Sequence, residues 1–313
     1  MSAKDVRYRV RNWSSYNDSL RKRGSLTVWI DEETIKNWYA IPTGKAVQQF
    51  HYSDAAIQLA LSLRTIYRLP LRATQGFLQS VFTMMGLELD VPDYTTLCRR
   101  AAKQKVTLDC ELPKEPMHLA IDSTGLKIFG EGEWKVRIHG VSKRRSWRKL
   151  HIGFNIETRE IVAAAVTDSN VHDSHVLEEL TPENGGEVSS IYADGAYDNF
   201  HGYDMAVKLV ANAYIDPRSG AALATGSKVT AGEFLRNTNI RGIWKLGKDA
   251  WKAEVGYHKR SLAENGIYRL KTIFGDHMAS RKTDRQITEG RMRTKILNQM
   301  THLGMPKSEK VYI

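Results

Sequence analysis

Apolar residues recur at helical spacing through the first third of the chain, between polar residues that can cap helices. Ser53, for example, can cap a helix in which Ile57 and Leu61 are apolar, and Pro70 ends that helix. The pattern predicts helices over residues 14–24, 31–38, 53–70, 72–85 and 92–103. We therefore expect residues 1–105 to form an all-helical region.

The last of these predicted helices carries Arg99 and Arg100. Short helices with tight turns and a basic last member are typical of helix-turn-helix DNA-binding units. A helical scaffold without DNA contacts explains the same pattern equally well. Both interpretations stay open, and no recognition helix can be assigned from the sequence.

The pattern changes after residues 105–116, where two prolines and mixed charges suit a linker. Short apolar runs then predict strands over residues 118–122, 150–156, 161–167, 190–194 and 213–216. Helices are expected between the later strands. Three strands in series, followed by alternating strands and helices, indicate an α/β domain with a mixed sheet over residues 116–280. Residues 281–313 are expected to form a C-terminal helical tail packed on that domain.

Charge and cysteine content narrow the class of protein. The chain has 46 Lys and Arg against 35 Asp and Glu, and its net charge of +11 favours nucleic acid over small acidic substrates. No run approaches the roughly 18 apolar residues of a membrane span, and the first residues lack an apolar signal core. The two cysteines, Cys98 and Cys110, suit neither a disulfide framework nor a zinc site. We expect a soluble cytoplasmic protein that does not bind membranes.

Two aspartates lie at the ends of short apolar runs, each followed by small residues. They are Asp122, before Ser-Thr-Gly, and Asp194, before Gly-Ala. Asp is disfavoured in strands, and a carboxylate at the end of a core strand has a high desolvation cost that a cation can offset. A capping role is the simpler explanation for either residue alone. Together they suggest a metal site.

Residues 257–271 place a third carboxylate among cations. On a helical wheel Tyr257, Arg260, Glu264 and Lys271 fall within about a 60° arc at 100° per residue. A solvated helix face with an Arg260–Glu264 ion pair explains this segment when it is taken alone. With Asp122 and Asp194 it completes an all-oxygen ligand set suited to Mg²⁺ or Mn²⁺, with two ions expected. Arg260 and Lys271 would then hold phosphates, and Tyr257 could stack on a base.

These residues resemble a known family. The spacing Y-x2-R-x3-E-x6-K, formed by Tyr257, Arg260, Glu264 and Lys271, matches the signature of bacterial insertion-sequence transposases with a DDE catalytic triad. The sequences IDSTG around Asp122 and YADGAYD around Asp194 resemble the two Asp regions of that group, and the insertion-sequence-five family fits best. The resemblance covers most of the chain.

The resemblance implies an RNase H-like fold, with the first Asp on the first strand, the second after the fourth strand, and the Glu on a later helix. It implies that Asp122, Asp194 and Glu264 are the catalytic residues and metal ligands. It also implies double-stranded DNA as the partner, both as terminal inverted repeats and as target. Because two DNA ends must be cut, a homodimer on DNA is expected, associated with the nucleoid.

A loop over residues 135–149 has no acidic residue. A basic run is usually a solvated loop, but beside a site that cleaves phosphodiesters it favours DNA-backbone contacts. Its candidate contacts are Arg137, Arg144, Arg145, Arg148 and Lys149. His172 and Asp173 follow the third strand, where they could line the site or serve as helix caps.

Three hypotheses follow. The leading one is a transposase that binds the inverted repeats of its element, cuts at the ends with a metal-activated water, and joins the 3′-hydroxyls to target DNA. A second is another nuclease on the same fold, such as a junction resolvase, which a strand-transfer assay would distinguish. The third is a non-catalytic DNA-binding repressor derived from a transposase, which should have lost a carboxylate of the triad.

Overall fold

The structure, a computed structural model, describes residues 6–42, 50–111, 113–128, 147–226 and 228–312. It divides the chain into two units. The first unit comprises Met1–Gln104 together with Ile296–Ile313, and the second comprises Lys105–Lys295. The C-terminal residues were expected to pack as one tail on the catalytic domain. The structure instead groups Ile296–Ile313 with the first unit.

The first unit contains short helices, and some of them begin directly after a capping side chain. They are α1 (Trp13–Lys22), α2 (Leu26–Trp29), α3 (Glu32–Lys36), α4 (Asp54–Ile66), α5 (Leu71–Met85) and α6 (Tyr94–Ala101). The Ser53 side chain accepts a hydrogen bond from the Ala56 N–H, and Asp93 caps α6 in the same way. Gly86 ends α5 in the left-handed conformation, at φ 66°. Leu63, Leu78 and other apolar residues of these helices are fully buried.

The first unit also contains two strands, so the expectation of an all-helical N-terminal region is wrong. Strand β1 (Val6–Val10) pairs antiparallel with β8 (Ser308–Tyr312) in a two-stranded sheet. The sequence reading missed β1 because a strand of five residues has a weak periodic signal and its partner lies near the other end of the chain.

The second unit is built on a mixed sheet, as the sequence predicted. Its strands are β2 (Met117–Ile128), β3 (Trp147–Asn155), β4 (Ile161–Asp168), β5 (Val188–Ala193), β6 (Asn212–Ile215) and β7 (His277–Met278). The strand order is β4-β3-β2-β5-β6, and β7 pairs with β2. Strands β2, β3 and β4 are antiparallel neighbours, whereas β5 and β6 run parallel to β2. The sheet and its helices confirm the α/β class.

Helices follow and flank this sheet. They are α7 (Phe200–Lys208), α8 (Ala231–Leu246), α9 (Lys248–Glu254), α10 (Ser261–Phe274) and α11 (Thr283–His302), with 3-10 turns at Asp173–Leu180, Gly195–Tyr197 and Tyr257–Arg260. Successive side chains of a strand alternate between the faces of the sheet. Leu119 and Ile121 of β2 join one buried apolar core, which leaves Ala120 and Asp122 for the opposite face. No helix among the described residues is both long and apolar enough to cross a membrane.

Candidate active site

The register of the sheet brings Asp122 and Asp194 to the same level. Ala120 on β2 lies opposite Tyr192 on the parallel strand β5. Each aspartate is two residues further along its strand, so both lie at one level and on one face. Asp194 directly follows β5, as predicted. Asp122 does not end its strand, because β2 continues through six more residues to Ile128.

A tight turn fixes the position of Asp194. Its carboxylate accepts a hydrogen bond of 2.9 Å from the Ala196 N–H and so caps the 3-10 turn that follows. Arg218 also stabilises this turn, because its Nε donates a hydrogen bond to the Gly195 carbonyl at 2.9 Å. The backbone N–H of Arg218 donates to Asp198, a buried carboxylate that also pairs with Arg236.

The sequence reading missed these supporting residues. Asp198 is the second aspartate of the YADGAYD motif, and Arg218 belongs to the IDPRSGA stretch. The YADGAYD motif contributes to the family resemblance, but no spacing rule connects Asp198 to an arginine in a distant helix. The available signal was an aspartate four positions after a predicted strand end.

Helix α10 carries Glu264 over the face of the sheet that holds both aspartates. The helix approaches the sheet closely at Gly266, where an added Cβ would lie 2.9 Å from the ring of Phe154. Phe154 pairs with Ala120 across β2 and β3, so it lies on the Asp122 face. A glycine at this contact therefore allows the helix to approach the sheet at Phe154, whose strand partner Ala120 is two residues from Asp122.

Arg260 contacts two of the three predicted catalytic carboxylates. One guanidinium nitrogen is 3.9 Å from Asp122 Oδ2, and another forms an ion pair with Glu264. Burial raises the pKa of Asp122, and the nearby Asp194 and Glu264 raise it further, whereas the Ser123 N–H and Arg260 lower it. Burial lowers the pKa of Arg260, but the surrounding carboxylates outweigh it and the net pKa is raised. The carboxylates of Asp122, Asp194 and Glu264 therefore lie close enough to Arg260 to interact with it electrostatically.

Tyr257 does not present its ring for stacking on a base. The ring is buried, and its hydroxyl donates to the Ala193 carbonyl at 2.9 Å, next to Asp194. The wheel projection treated residues 257–271 as one α-helix, but the structure has a 3-10 turn over Tyr257–Arg260 before α10 begins. Tyr257 thus holds the end of β5. Lys271 is half-buried, on the same side of α10 as Glu264.

A second polar cluster adjoins Asp122 from the opposite face of β2. The Ser123 hydroxyl donates to Asp173 Oδ2 at 2.8 Å, and Lys149 Nζ donates to Asp173 Oδ1 at 2.8 Å. The Ser123 N–H donates to Asp122 at 2.8 Å. Lys149 and Asp173 are thus linked to Asp122 through one serine.

Comparison with known families identifies the family of this chain. Two family models, each described as a transposase DDE domain, match residues 21–131 and 113–299. This chain belongs to the DDE transposase family. Members of that family cleave and join DNA. A structural similarity to the Drosophila P element transposase strand transfer complex covers 93% of this chain and 85% of the other, with 13% sequence identity and a TM-score of 0.30.

DDE transposases generally use divalent metal ions, and the three carboxylates offer the oxygen ligands that Mg²⁺ and Mn²⁺ prefer. Among the described residues, no group of three His, Cys, Asp or Glu side chains is arranged to hold a metal ion. Here the guanidinium of Arg260 contacts Asp122 and Glu264. The oxygen donor set fits a cation, and so does the proximity of Asp194 and Glu264, which raise the pKa of half-buried Asp122.

The basic residues predicted to contact DNA differ in how far they are exposed. Arg99 is exposed, whereas Arg100 is buried, pairs with Asp54 and donates to the Tyr52 carbonyl. A buried guanidinium with these partners stabilises the helices of the first unit, so the expectation that Arg100 contacts DNA is wrong.

The loop candidates are only partly described. Arg137, Arg144 and Arg145 lie outside the described residues. Arg148 and Lys149 belong to strand β3 instead of a loop. The Arg148 side chain is 12% exposed, pairs with Asp168 and donates to α11, and Lys149 is held by Asp173. The expectation of a loop is therefore wrong at these two residues, and both side chains predicted to contact DNA are engaged within the second unit.

Proposed function

We propose that this transposase cleaves DNA at the ends of its element and joins the resulting 3′-hydroxyls to target DNA, using Asp122, Asp194 and Glu264. One observation carries the proposal. Parallel strands place the two aspartates side by side, and α10 brings Glu264 to the same face, within reach of the arginine that contacts Asp122. Residues up to 142 positions apart in the sequence thus converge on one acidic surface.

We also propose that the second unit has an RNase H-like fold, which is more specific than the α/β class. The strand order β4-β3-β2-β5-β6, with three antiparallel strands followed by two parallel ones, supports it. The first aspartate on the first strand of the sheet, and the second after the fourth, follow the order that the resemblance to the insertion-sequence-five family implies.

Each residue has a distinct part in the proposed reaction. When bound, two Mg²⁺ ions would activate the attacking water or 3′-hydroxyl and stabilise the leaving oxygen. Asp122, Asp194 and Glu264 would hold them. Arg260 would turn from the carboxylates to a phosphate oxygen as positive charge enters the site, and Lys271 would hold a neighbouring phosphate.

Double-stranded DNA is the proposed partner, recognised first at the terminal inverted repeats and then as target. We infer that the first unit supplies end recognition and the second unit the chemistry. A homodimer on DNA would provide one active site for each element end. We also propose that this transposase belongs to the insertion-sequence-five family.

Conservative changes at the triad test this function. Asp122→Asn, Asp194→Asn and Glu264→Gln each remove a ligand charge at nearly constant volume. We expect each to abolish cleavage of a plasmid that carries the gene with its native flanking DNA, with DNA affinity nearly unchanged. Near wild-type cleavage by any variant in Mg²⁺ would remove that residue from the triad. Cleavage without joining of 3′-hydroxyls would favour the related nuclease instead.

A further inference from the structure

The two-stranded sheet of β1 and β8, here termed the terminal ribbon, gathers basic side chains from both ends of the chain. Residues directly opposite each other in an antiparallel pair lie on the same face. Arg7 lies opposite Val311 and Arg9 opposite Glu309. The Arg11 N–H donates to the Lys307 carbonyl at 2.8 Å, which extends the ladder by one pair. One face therefore carries Arg7, Arg9 and Arg11 in a row.

The ribbon has a large excess of positive charge. Residues 6–11 and 307–312 contain five cations, namely Arg7, Arg9, Arg11, Lys307 and Lys310, and one carboxylate, Glu309. Five minus one gives +4 in twelve residues, out of +11 for the chain. Arg11 pairs with Glu309, which neutralises one of the five.

These side chains are directed to solvent. Arg7, Arg9, Arg11, Lys307 and Lys310 are all exposed. On the other face Tyr8 is 68% exposed, beside Lys310 on the partner strand. Exposed lysines and arginines on a strand can have a purely protective role, because their charge prevents edge-to-edge aggregation of sheets. That role requires charge of either sign, however, and does not explain why a single sign dominates both strands.

We propose that the terminal ribbon is a docking surface for duplex DNA. A two-stranded ribbon fits the width of the major groove of B-form DNA, and a row of arginines along it can follow the phosphates at the groove edge. The complementary charge identifies the partner as a polyanion, and the regular ribbon geometry suits a duplex better than a flexible strand. The inference rests on the proposed DNA transposase function and specifies which part of the first unit contacts the DNA.

Salt dependence of binding provides the test. The double variant Arg7→Gln/Arg9→Gln should lower the slope of log affinity against log salt by about two units between roughly 50 and 200 mM NaCl, one for each lost phosphate contact. The probe is a short fluorescein-labelled duplex of random sequence, followed by anisotropy. Arg7→Lys/Arg9→Lys should retain most of the slope.

The matched control is Lys36→Gln/Lys208→Gln, which removes two exposed cations elsewhere. It should leave the slope within one unit of wild type. A ribbon variant that keeps the wild-type slope while its circular dichroism is unchanged would overturn the proposal. Tighter wild-type binding to single-stranded DNA, or to vesicles of anionic phospholipid, than to the duplex would also overturn it.

The same measurements separate this proposal from the proposed function. If the wild-type chain binds the duplex through the ribbon but does not cleave the plasmid with native flanks, the transposase chemistry fails and the ribbon proposal stands. If cleavage occurs and the ribbon variant retains the full slope, the ribbon proposal fails alone.

Discussion

At Asp122, neighbouring groups act on one carboxylate in opposite directions. Burial and two other carboxylates favour its protonated form and raise its pKa, whereas the Ser123 N–H and Arg260 favour the charged form. The backbone N–H of Ser123 donates to one oxygen of Asp122, and the hydroxyl of the same serine donates to Asp173. A ligand with this support is held in one orientation before a cation arrives, which favours binding.

We therefore expect Asp173 to act as a positioning residue for Asp122. Asp173→Asn and Ser123→Ala should each weaken Mn²⁺ binding by about tenfold, a typical loss when the support of a metal ligand is removed. Electron paramagnetic resonance of free Mn²⁺ measures this without DNA. Ser123→Thr, which keeps the hydroxyl, should bind as wild type.

The control for this prediction is Glu289→Gln, which breaks a buried ion pair with Arg293 elsewhere in the second unit. It should lower stability without changing Mn²⁺ affinity. If Ser123→Ala binds Mn²⁺ as tightly as wild type, Asp173 has only a structural role.

His151 should make folding depend on pH. Its ring is fully buried on β3, and burial lowers its pKa to about 4, although Asp173 opposes that effect. In the unfolded chain the pKa is about 6.5, so between these values only the unfolded state binds the proton, and stability falls as pH falls. From pH 7 to pH 5 the wild type should lose about 2 kcal/mol more than His151→Gln. Urea unfolding at both pH values measures it, and equal losses would contradict the assignment.

Individual residues show where sequence reasoning succeeds. Asp194 and Glu264 could be located because each sits at a defined point of a local pattern, a strand end or a helix face. Tyr257 could not, because one 3-10 turn changes the angle per residue and moves its ring from the predicted face into the core. The sequence predicts Arg100 to be a surface cation, but in the structure it donates to Asp54, which is 46 positions away.

At the scale of elements, the approach of α10 to the sheet depends on Gly266. Gly266→Ala places a methyl group 2.9 Å from the Phe154 ring, so the helix or the ring must move. Overpacking of this kind destabilises by about 1–3 kcal/mol. Because Glu264 lies on the same helix, we also expect cleavage to slow by about tenfold or more, a typical effect of misplacing a catalytic group.

Gly76→Ala in α5 is the matched control for that change. An added Cβ there meets no atom within 4 Å, so the substitution should stabilise the helix by up to about 1 kcal/mol. Thermal unfolding and plasmid cleavage of both variants are the measurements. Unchanged cleavage by Gly266→Ala would mean that the helix position is not critical for Glu264.

Elements with local signals were predicted well. Helix α4 begins after Ser53 and α6 after Asp93, as their capping side chains indicate, and strands β3 to β5 lie within a few residues of the predicted ranges. The sequence suggests that residues 125–129 continue the strand after a kink, but not that β2 runs without interruption, because Ser123, Thr124 and Gly125 resemble a turn. Pairing with β3 on one side keeps them extended.

At the scale of the whole molecule, the first unit draws on both ends of the chain. Deletion of residues 1–104 removes the helices proposed to recognise element ends, so it should erase the preference for those ends and leave weak, salt-sensitive binding. Competition between an end-containing duplex and a random duplex measures this preference. Retention of the preference by the deletion variant would assign recognition to the second unit.

The terminal ribbon also sets an order on assembly during synthesis. Strand Val6–Val10 is made about 300 residues before its partner, Ser308–Tyr312. At about 5–20 residues per second, that interval is roughly 15–60 s. The second unit, Lys105–Lys295, is made within that interval, so it can begin to fold while strand β1 is still unpaired. A chain released before residue 308 would therefore lack the ribbon altogether, however well its catalytic residues were placed.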